Sequence, residues 1–291
     1  MNATLKRLSR LAGVSQPPVS EPKRPPLIPK SEPGTRVASM FFDAYPRFLE
    51  TSGTSPDNGR LNLRYEAIFG ENLDIFRGAR VLDIASHDGR WSFAALQSGA
   101  ASVIGIEARP HLVEHAEANL DAYGVDQSRY RFVTGDVFEV LAKETFEVDV
   151  VMCLGFLYHT LRFNELMKRI RQLNPHHLII DTEVLPGHGK KALVLIHHEH
   201  IDREGNAIAD QFSHGEWVLS GKPNLKGLRK LVTAYDFKVD KLADWGALIR
   251  DNPIGAQVDD YAQRERLTAI CETLAEGTGS PDQEEDDAGD D

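Results

Sequence analysis

Hydrophobic residues in the central part of the chain alternate between short continuous runs and helical spacing. The runs "ARVLDIAS" and "SVIGIEA" predict buried strands, and each is followed by a segment with apolar residues at helical spacing, which ends at Gly99 or at Gly124. The alternation continues through "YRFVTGD", "VDVVMCLG", "FNELMKRIRQLN" and "HHLIIDTEV". Continuous apolar strands separated by helices predict a parallel sheet covered by helices on both faces.

A hairpin is predicted after the fifth strand, in the stretch "ALVLIHHEHIDREGNAIADQ". We expect one strand before a turn at "REGN" and a second strand directly after it. The "HHEH" run, residues 197–200, suggests a metal site. Because side chains alternate between the two faces of a strand, only His198 with His200, or His197 with Glu199, share a face. With Asp181 and Glu183 near, a divalent ion stays an alternative, but we favour a solvated strand and predict no metal.

The two ends of the chain differ from its body in composition. Residues 1–36 are rich in proline and basic residues, and residues 276–291 are almost wholly acidic and polar, so we predict that both are disordered. Residues 37–75 are predicted to form a helical cap. Residues 76–275 are predicted to form one domain, with an insertion at about 186–220.

Charge and cysteine content limit the function classes. The chain has 291 residues, a net charge of −11 and two distant cysteines, Cys153 and Cys271, which favour neither a disulfide framework nor a metal knuckle. No segment approaches the roughly 18 apolar residues of a membrane span, and we expect a cytoplasmic protein without a membrane partner. The body without its acidic tail is mildly negative, which gives no general attraction for a polyanion.

Polar groups follow four successive predicted strands. They are Asp83 with the turn that ends at Gly89, then Glu107, then Asp136, and lastly the segment from Leu154 to His159. The carboxyl ends of parallel strands meet at one edge of a sheet, where ligands of such sheets bind. Glu107 follows the first turn at about the twenty residues at which an acid reaches ribose hydroxyls. Asp136 is then placed for an exocyclic amino group, so the pattern predicts an adenosine-type ligand.

These segments resemble the successive motifs of class I S-adenosylmethionine-dependent methyltransferases. The resemblance rests on "VLDIASHDGRWSF", "VIGIEA", "FVTGDVFE" and "FEVDVVMCLGFLYHT", and covers roughly residues 76–275. "CLGFLYHT" with "DGRW" is most similar to the branch that contains the tRNA wobble-uridine (carboxy)methyltransferases. The resemblance implies an α/β, Rossmann-like, doubly wound and mostly parallel seven-stranded sheet. "KVDKLADW" and "RERLTAICE" would form its antiparallel closing pair, beside the inserted β-hairpin.

The resemblance also implies the cofactor, S-adenosyl-L-methionine, and the residues that hold it. The positions that match the family's motifs are Asp83, Ala85, Ser86 and Gly89 for the methionine portion, Glu107 for the ribose, Asp136 with Val137 for the adenine, and Leu154 at the fourth strand. The family's first turn commonly has three glycines, and here only Gly89 remains. Since the cofactor has no pyrophosphate to cradle, we expect one glycine to suffice. A nicotinamide or another nucleotide stays the alternative ligand.

Methyl transfer to a hydroxyl requires a proton acceptor, and His159 is the candidate. It lies just beyond the fourth predicted strand, and an imidazole suits general-base catalysis at neutral pH; the alternative is a histidine in the wall of the cofactor pocket. No basic cluster within residues 76–275 matches the demand of an RNA ligand. We therefore expect a small-molecule acceptor, such as a sugar or metabolite. A tRNA substrate and a non-catalytic cofactor-binding module remain the alternatives.

Overall fold

The computed structural model describes residues 40–54, 57–187, 191–201, 209–253, 256–275 and 277. The predicted N-terminal tail and the "REGN" turn lie outside these residues, as does the predicted acidic tail except for Gly277. The predictions of disorder at the two ends therefore stay predictions.

A seven-stranded sheet forms the centre of the protein, in the order β3-β2-β1-β4-β5-β9-β8. Five neighbouring strands are parallel; β9 pairs antiparallel with β5, and the edge strand β8 pairs antiparallel with β9. This confirms the predicted fold class. The strands are β1 Arg80–Ile84, β2 Ser102–Glu107, β3 Tyr130–Thr134, β4 Val150–Leu154, β5 His177–Glu183, β8 Phe237–Leu242 and β9 Arg266–Thr273, while β6 Val194–His200 and β7 Trp217–Pro223 form a separate pair.

Helices precede the sheet and cover both of its faces. They are α1 Arg47–Glu50, α2 Asn58–Tyr65, α3 Leu73–Phe76, α4 Arg90–Gln97, α5 Pro110–Ala122, α6 Val137–Lys143, α7 Phe163–Gln172, α8 Leu225–Thr233, α9 Trp245–Asp251 and α10 Asp259–Ala262, with short 3-10 helices at Phe41–Ala44, Gln127–Arg129 and Leu157–His159 and a π-helical turn at Glu66–Gly70. Among the described residues, no helix has both the length and the apolar character needed to span a bilayer.

The central strands are apolar on both faces because each face has its own core. Leu178 and Ile180 of β5 pack in the core beneath α6, α7 and α8, whereas Ile179 belongs to the opposite core, which contains residues of α2, α4 and α5. Successive side chains of a strand point to opposite faces, so a strand covered on both sides needs an unbroken apolar run. This is why the sequence showed runs rather than alternation here.

The inserted hairpin differs from the prediction in its second strand. β6 pairs with β7 along its length, from Val194 opposite Pro223 to His200 opposite Trp217. The second strand was expected directly after the turn, but it begins some sixteen residues beyond the end of β6. Each residue of an antiparallel ladder faces its partner across the sheet, so Glu199 and Val218 share the inner face while His200 and Trp217 share the outer one. The apolar alternation of "EWVLSG" suits this pairing better than the polar "AIADQ" does.

Candidate functional site

A cavity of about 390 Å³ opens at the carboxyl ends of the parallel strands. Its volume lies within the range of roughly 300–1,000 Å³ typical of small-molecule sites. Six of the nine predicted site residues line it: Ala85, Glu107, Asp136, Val137, Leu154 and His159. Further wall comes from the helical segment before the sheet, from α4, from the segment after β4, and from β7 and β9, so elements distant in sequence line one site.

The turn after β1 adopts a left-handed backbone at three alternate positions. φ is +54° at Ala85, +52° at His87 and +77° at Gly89. A Cβ at Gly89 would lie 2.9 Å from the Cβ of Ala116, so only glycine fits there. The turn therefore keeps the conformation that glycines ordinarily allow, and Ala85 and His87 adopt it at a cost on the order of 1 kcal/mol each. Among the three left-handed positions only Gly89 is sterically restricted to glycine, while the expectation that one glycine suffices for the cofactor stays a prediction.

Asp83, Ser86 and Gly89 lie beneath the cavity rather than in its wall. Oδ2 of Asp83 accepts a hydrogen bond from the Ser92 hydroxyl at 2.7 Å. Burial raises the pKa of Asp83 to about 7, against the lowering effect of the bond from Ser92. The hydroxyl of Ser86 is buried and has no hydrogen-bond partner among the described residues. These three residues shape the turn, and their direct contact with a cofactor stays a prediction.

Glu107 anchors the turn to the end of β2. Its carboxylate accepts the backbone N–H of His87 at 3.0 Å and the backbone N–H of Arg109 at 3.1 Å, one on each oxygen. Each carboxylate oxygen has two lone pairs, so two acceptor positions remain for hydroxyl donors. The backbone bonds fix the orientation of the carboxylate, and the remaining capacity suits the vicinal hydroxyls of a ribose.

Asp136 both begins a helix and faces the cavity. Its Oδ1 accepts the backbone N–H groups of Phe138 and Glu139 at 2.9 and 3.1 Å, which caps α6. Within the described part of the chain Oδ2 makes no hydrogen bond, so it is available to an exocyclic amino group. Val137 and Leu154 add apolar surface to the same wall. This set of carboxylate acceptors and apolar surface fits the adenosine half of S-adenosylmethionine.

A buried network that the sequence analysis missed ties the N-terminal helices to the turn. Asp88 is fully buried and accepts Nε of Arg90 at 2.7 Å and the hydroxyl of Thr51 at 2.7 Å. Asn119 of α5 donates to the Thr51 hydroxyl and to the Asp88 carbonyl. Burial raises the pKa of Asp88, but Arg90 and His87 outweigh that effect and hold it well below its usual range. The sequence signal that could have indicated this network is Asp88, two residues before Arg90 in "SHDGRW".

His159 has a carboxylate partner on the hairpin. Its Nδ1 lies 3.1 Å from Oε2 of Glu199, and its side chain is 12% exposed. Burial raises the pKa of Glu199, but the hydrogen bond and charge of His159 outweigh this, so the pKa is lowered overall. With Nδ1 engaged, Nε2 is the ring nitrogen left for a ligand. The sequence placed His197 and Glu199 on one face of a strand, but it gave no indication that this face meets His159.

Asp181, one of the acids considered for a metal, is instead held by arginines. Oδ1 of Asp181 accepts Nε of Arg266 at 2.7 Å and a guanidinium nitrogen of Arg64 at 3.0 Å. Its Oδ2 accepts the hydroxyls of Thr268 and Tyr261 at 2.6 and 2.8 Å. Both carboxylate oxygens of Asp181 therefore already accept hydrogen bonds from side chains of the protein. Across the described residues, no group of three or more histidine, cysteine or acidic side chains is arranged to hold a metal ion.

This chain is similar to known proteins in sequence and in fold. Residues 81–175 match the family described as "Methyltransferase domain". The histone-arginine methyltransferase CARMER of Drosophila virilis is 28% identical over 153 residues, which are 52% of this chain and 27% of the relative. The chain therefore spans about a quarter of the length of the curated relatives that it matches.

Two solved structures illustrate the likeness of fold. An S-adenosylmethionine-dependent methyltransferase from Mesorhizobium loti shows 16% identity and a TM-score of 0.47, covering 69% of this chain and 96% of its own. The Burkholderia thailandensis 1,6-didemethyltoxoflavin-N1-methyltransferase, with bound 1,6-didemethyltoxoflavin and S-adenosylhomocysteine, shows 17% identity and a TM-score of 0.47, covering 81% and 86%.

These comparisons do not confirm the narrower tRNA wobble-uridine branch. The matched segment contains β1 to β4, the glycine-poor turn and both strand-end acids, Glu107 and Asp136. Over residues 81–175 the chain is therefore similar to a methyltransferase domain.

Proposed function

We propose that the protein transfers a methyl group from S-adenosylmethionine to a hydroxyl of a small-molecule acceptor. The observation that carries the proposal is the pair of His159 and Glu199, 3.1 Å apart, at the wall of the cavity that Glu107 and Asp136 also line. A histidine oriented by a carboxylate is the arrangement that general-base catalysis on a hydroxyl uses.

The protein's own residues provide orientation and proton transfer. When bound, the cofactor supplies a methyl group that its sulfonium already makes electrophilic. Glu107 and Asp136 would hold the adenosine portion of the cofactor. Nε2 of His159 then accepts the proton of the acceptor hydroxyl as the oxygen is alkylated. Glu199 keeps the proton of His159 on Nδ1 and stabilises the imidazolium that forms.

The surroundings of the cavity support a small acceptor. Thr54 and Arg60 of the N-terminal segment, Val218 of the hairpin and Gln257 near α10 all contribute to its wall. A cavity of about 390 Å³ with walls from these elements limits the size of an acceptor.

The experiment measures transfer of labelled methyl groups from S-adenosylmethionine to a panel of sugars, phenols and hydroxy acids. The parent protein is expected to turn over at least one member. We expect His159→Ala to bind S-adenosylhomocysteine nearly as well as the parent and to lose on the order of 100-fold in kcat. His198→Ala, on the outer face of the hairpin, is the matched control. A loss of cofactor affinity in proportion to activity would place His159 in the pocket wall instead.

Two other acceptor classes are separated by the same assay. Bulk tRNA and histone peptides are added as acceptors, and binding of tRNA is measured at two salt concentrations for a form without residues 1–36. RNA affinity falls steeply with salt because phosphate binding releases counterions, whereas a small neutral acceptor is almost insensitive. Tight, salt-sensitive binding with methylation of tRNA would replace the small-molecule proposal. Cofactor binding without turnover of any acceptor would favour a regulatory module.

A further inference from the structure

Three arginines from distant parts of the chain line the cavity beside Tyr158 and His159. Arg60 and Arg64 come from α2, and Arg266 begins β9. Arg266 donates from Nη1 to the Tyr158 hydroxyl at 3.3 Å, and the rings of Tyr158 and His159 lie 4.0 Å apart between centroids. We call Arg60, Arg64 and Arg266 the arginine cluster; Arg266 is linked to the ring of His159 through Tyr158.

The arginine cluster carries more positive charge than its acidic partners balance. Arg64 and Arg266 share the single carboxylate of Asp181, and Arg60 binds Asp260 through two bonds of 2.7 Å. Three guanidinium groups thus meet two carboxylates. Glu183, 3.9 Å from Arg266, does not change the balance, because it also pairs with Lys222.

The other acids of the cavity wall are engaged elsewhere. Glu107 and Asp136 accept backbone N–H groups at the adenosine end. Asp210 pairs with Arg162, whose Nη1 lies 3.3 Å from its Oδ2. Glu199, 3.1 Å from Nδ1 of His159, adds a negative charge beside the proposed base, so the case for a bound anion rests on the hydrogen-bond donors of the arginine cluster rather than on its net charge.

Two of the three guanidinium groups in the arginine cluster are largely buried. The side chains of Arg64 and Arg266 are 12% and 6% exposed, and arginine stays protonated under all ordinary conditions. Nε of Arg64 is buried and has no hydrogen-bond partner within the described residues. A guanidinium in this state gains most from a planar or tetrahedral oxyanion, which accepts two bonds at once.

We propose that the acceptor carries a carboxylate or a phosphate, which the arginine cluster binds while the acceptor hydroxyl faces His159. This rests on the proposed function and adds the class of substrate: a hydroxy acid or a hydroxylated phosphoester. The path from Arg266 through Tyr158 to His159 sets the separation between the anion and the hydroxyl.

The first test uses the protein with S-adenosylhomocysteine bound, so that the donor site is filled. Thermal shifts and calorimetric titrations compare inorganic phosphate with sodium chloride at equal ionic strength, and 4-hydroxybenzoate with 4-hydroxybenzamide. The two salts differ in the anion at the same ionic strength, and the acid and the amide differ in charge at nearly the same shape. We expect the acid to bind at least about 10-fold more tightly than the amide. Equal binding of acid and amide, or no effect of any anion at millimolar concentration, would overturn the proposal.

The second test removes one positive charge of the arginine cluster while the paired carboxylate keeps its other hydrogen-bond donors. Arg64→Gln leaves Arg266, Thr268 and Tyr261 on Asp181, so folding is expected to survive. It is expected to weaken binding of 4-hydroxybenzoate about 10-fold and of the amide less than twofold, while S-adenosylhomocysteine binding is unchanged. Arg60→Gln should act in the same direction.

The matched control is Arg131→Gln, an exposed arginine paired with Glu144 outside the cavity. If Arg64→Gln weakens acid and amide equally, the cluster shapes the cavity without recognising charge, and the proposal is wrong. If the parent protein does not bind S-adenosylhomocysteine, the proposed function is contradicted. Failure of the proposed function and failure of the anion proposal are therefore distinguishable.

Discussion

Nδ1 of His159 lies 3.1 Å from Oε2 of Glu199, which joins the segment after β4 to the inserted hairpin. The two residues are 40 positions apart, and each is only partly accessible, at 12% and 26% of the side chain. Glu199 faces inward because it alternates with His198 and His200 along β6. The hairpin therefore contributes a residue that positions the proposed base.

Glu199→Gln is expected to lower kcat by roughly 10- to 100-fold, because an amide neither fixes the Nδ1 proton nor stabilises the imidazolium. It should also shift the acidic limb of the pH profile of kcat, and leave S-adenosylhomocysteine affinity unchanged. The control is Glu216→Gln, an exposed acid whose partner is His200 on the outer face. An unchanged pH profile in Glu199→Gln would show that the carboxylate has only a structural role.

Asp136→Asn tests the adenosine end of the cavity without removing the helix cap. Asparagine caps a helix about as well as aspartate does, so α6 should be retained. The variant is expected to bind S-adenosylhomocysteine about 5- to 20-fold more weakly, because its side-chain nitrogen no longer accepts the exocyclic amino group. Asp126→Asn, which replaces an exposed acid that accepts the N–H of Ser128, is the control. Equal affinity of the two variants in a titration would exclude Asp136 from the cofactor site.

Asp83 should make stability depend on pH. Burial raises its folded pKa to about 7, above its ordinary value of 3.8. The folded state therefore keeps the proton longer than the unfolded state, and the stabilisation present below about pH 4 is lost as pH rises to about 7. Asp83→Asn removes this titration, so its free energy of unfolding relative to the parent should rise by on the order of 3–4 kcal/mol between pH 4 and 8. Urea unfolding of both proteins across this range measures the difference. A constant difference would show that Asp83 is charged in the folded protein.

Ala85→Gly should leave the free energy of unfolding nearly unchanged or raise it slightly. Glycine relieves the left-handed strain at φ +54°, which offsets the greater entropy of its unfolded chain. Ala94→Gly, in the buried middle of α4, is the comparison and is expected to lose about 1–2 kcal/mol. Denaturant titrations of the two variants decide the matter. An equal loss in both would mean that the turn does not strain residue 85.

The sequence alone determined the architecture of the sheet and one end of the site. Local periodicity predicts β1 to β5, because each strand is buried on both faces and must be apolar throughout. Since parallel strands end at one edge, the spacing of Glu107 and Asp136 also predicted their meeting at the cavity. These inferences require only the chain order and the geometry of a parallel sheet.

Only the tertiary structure decided what faces those acids. Glu199 reaches His159 through the pairing of β6 with β7, and the sequence had placed the second strand of that hairpin too early. Arg64 and Arg266 meet on Asp181 although they are about 200 residues apart. No local sequence pattern encodes such contacts, because they depend on how separate elements pack. In the sequence, a charged residue that pairs in the interior has the same local pattern as one exposed to solvent. The part of the cavity lined by Glu107 and Asp136 follows from strand order, and the part lined by His159 and the arginine cluster follows from packing.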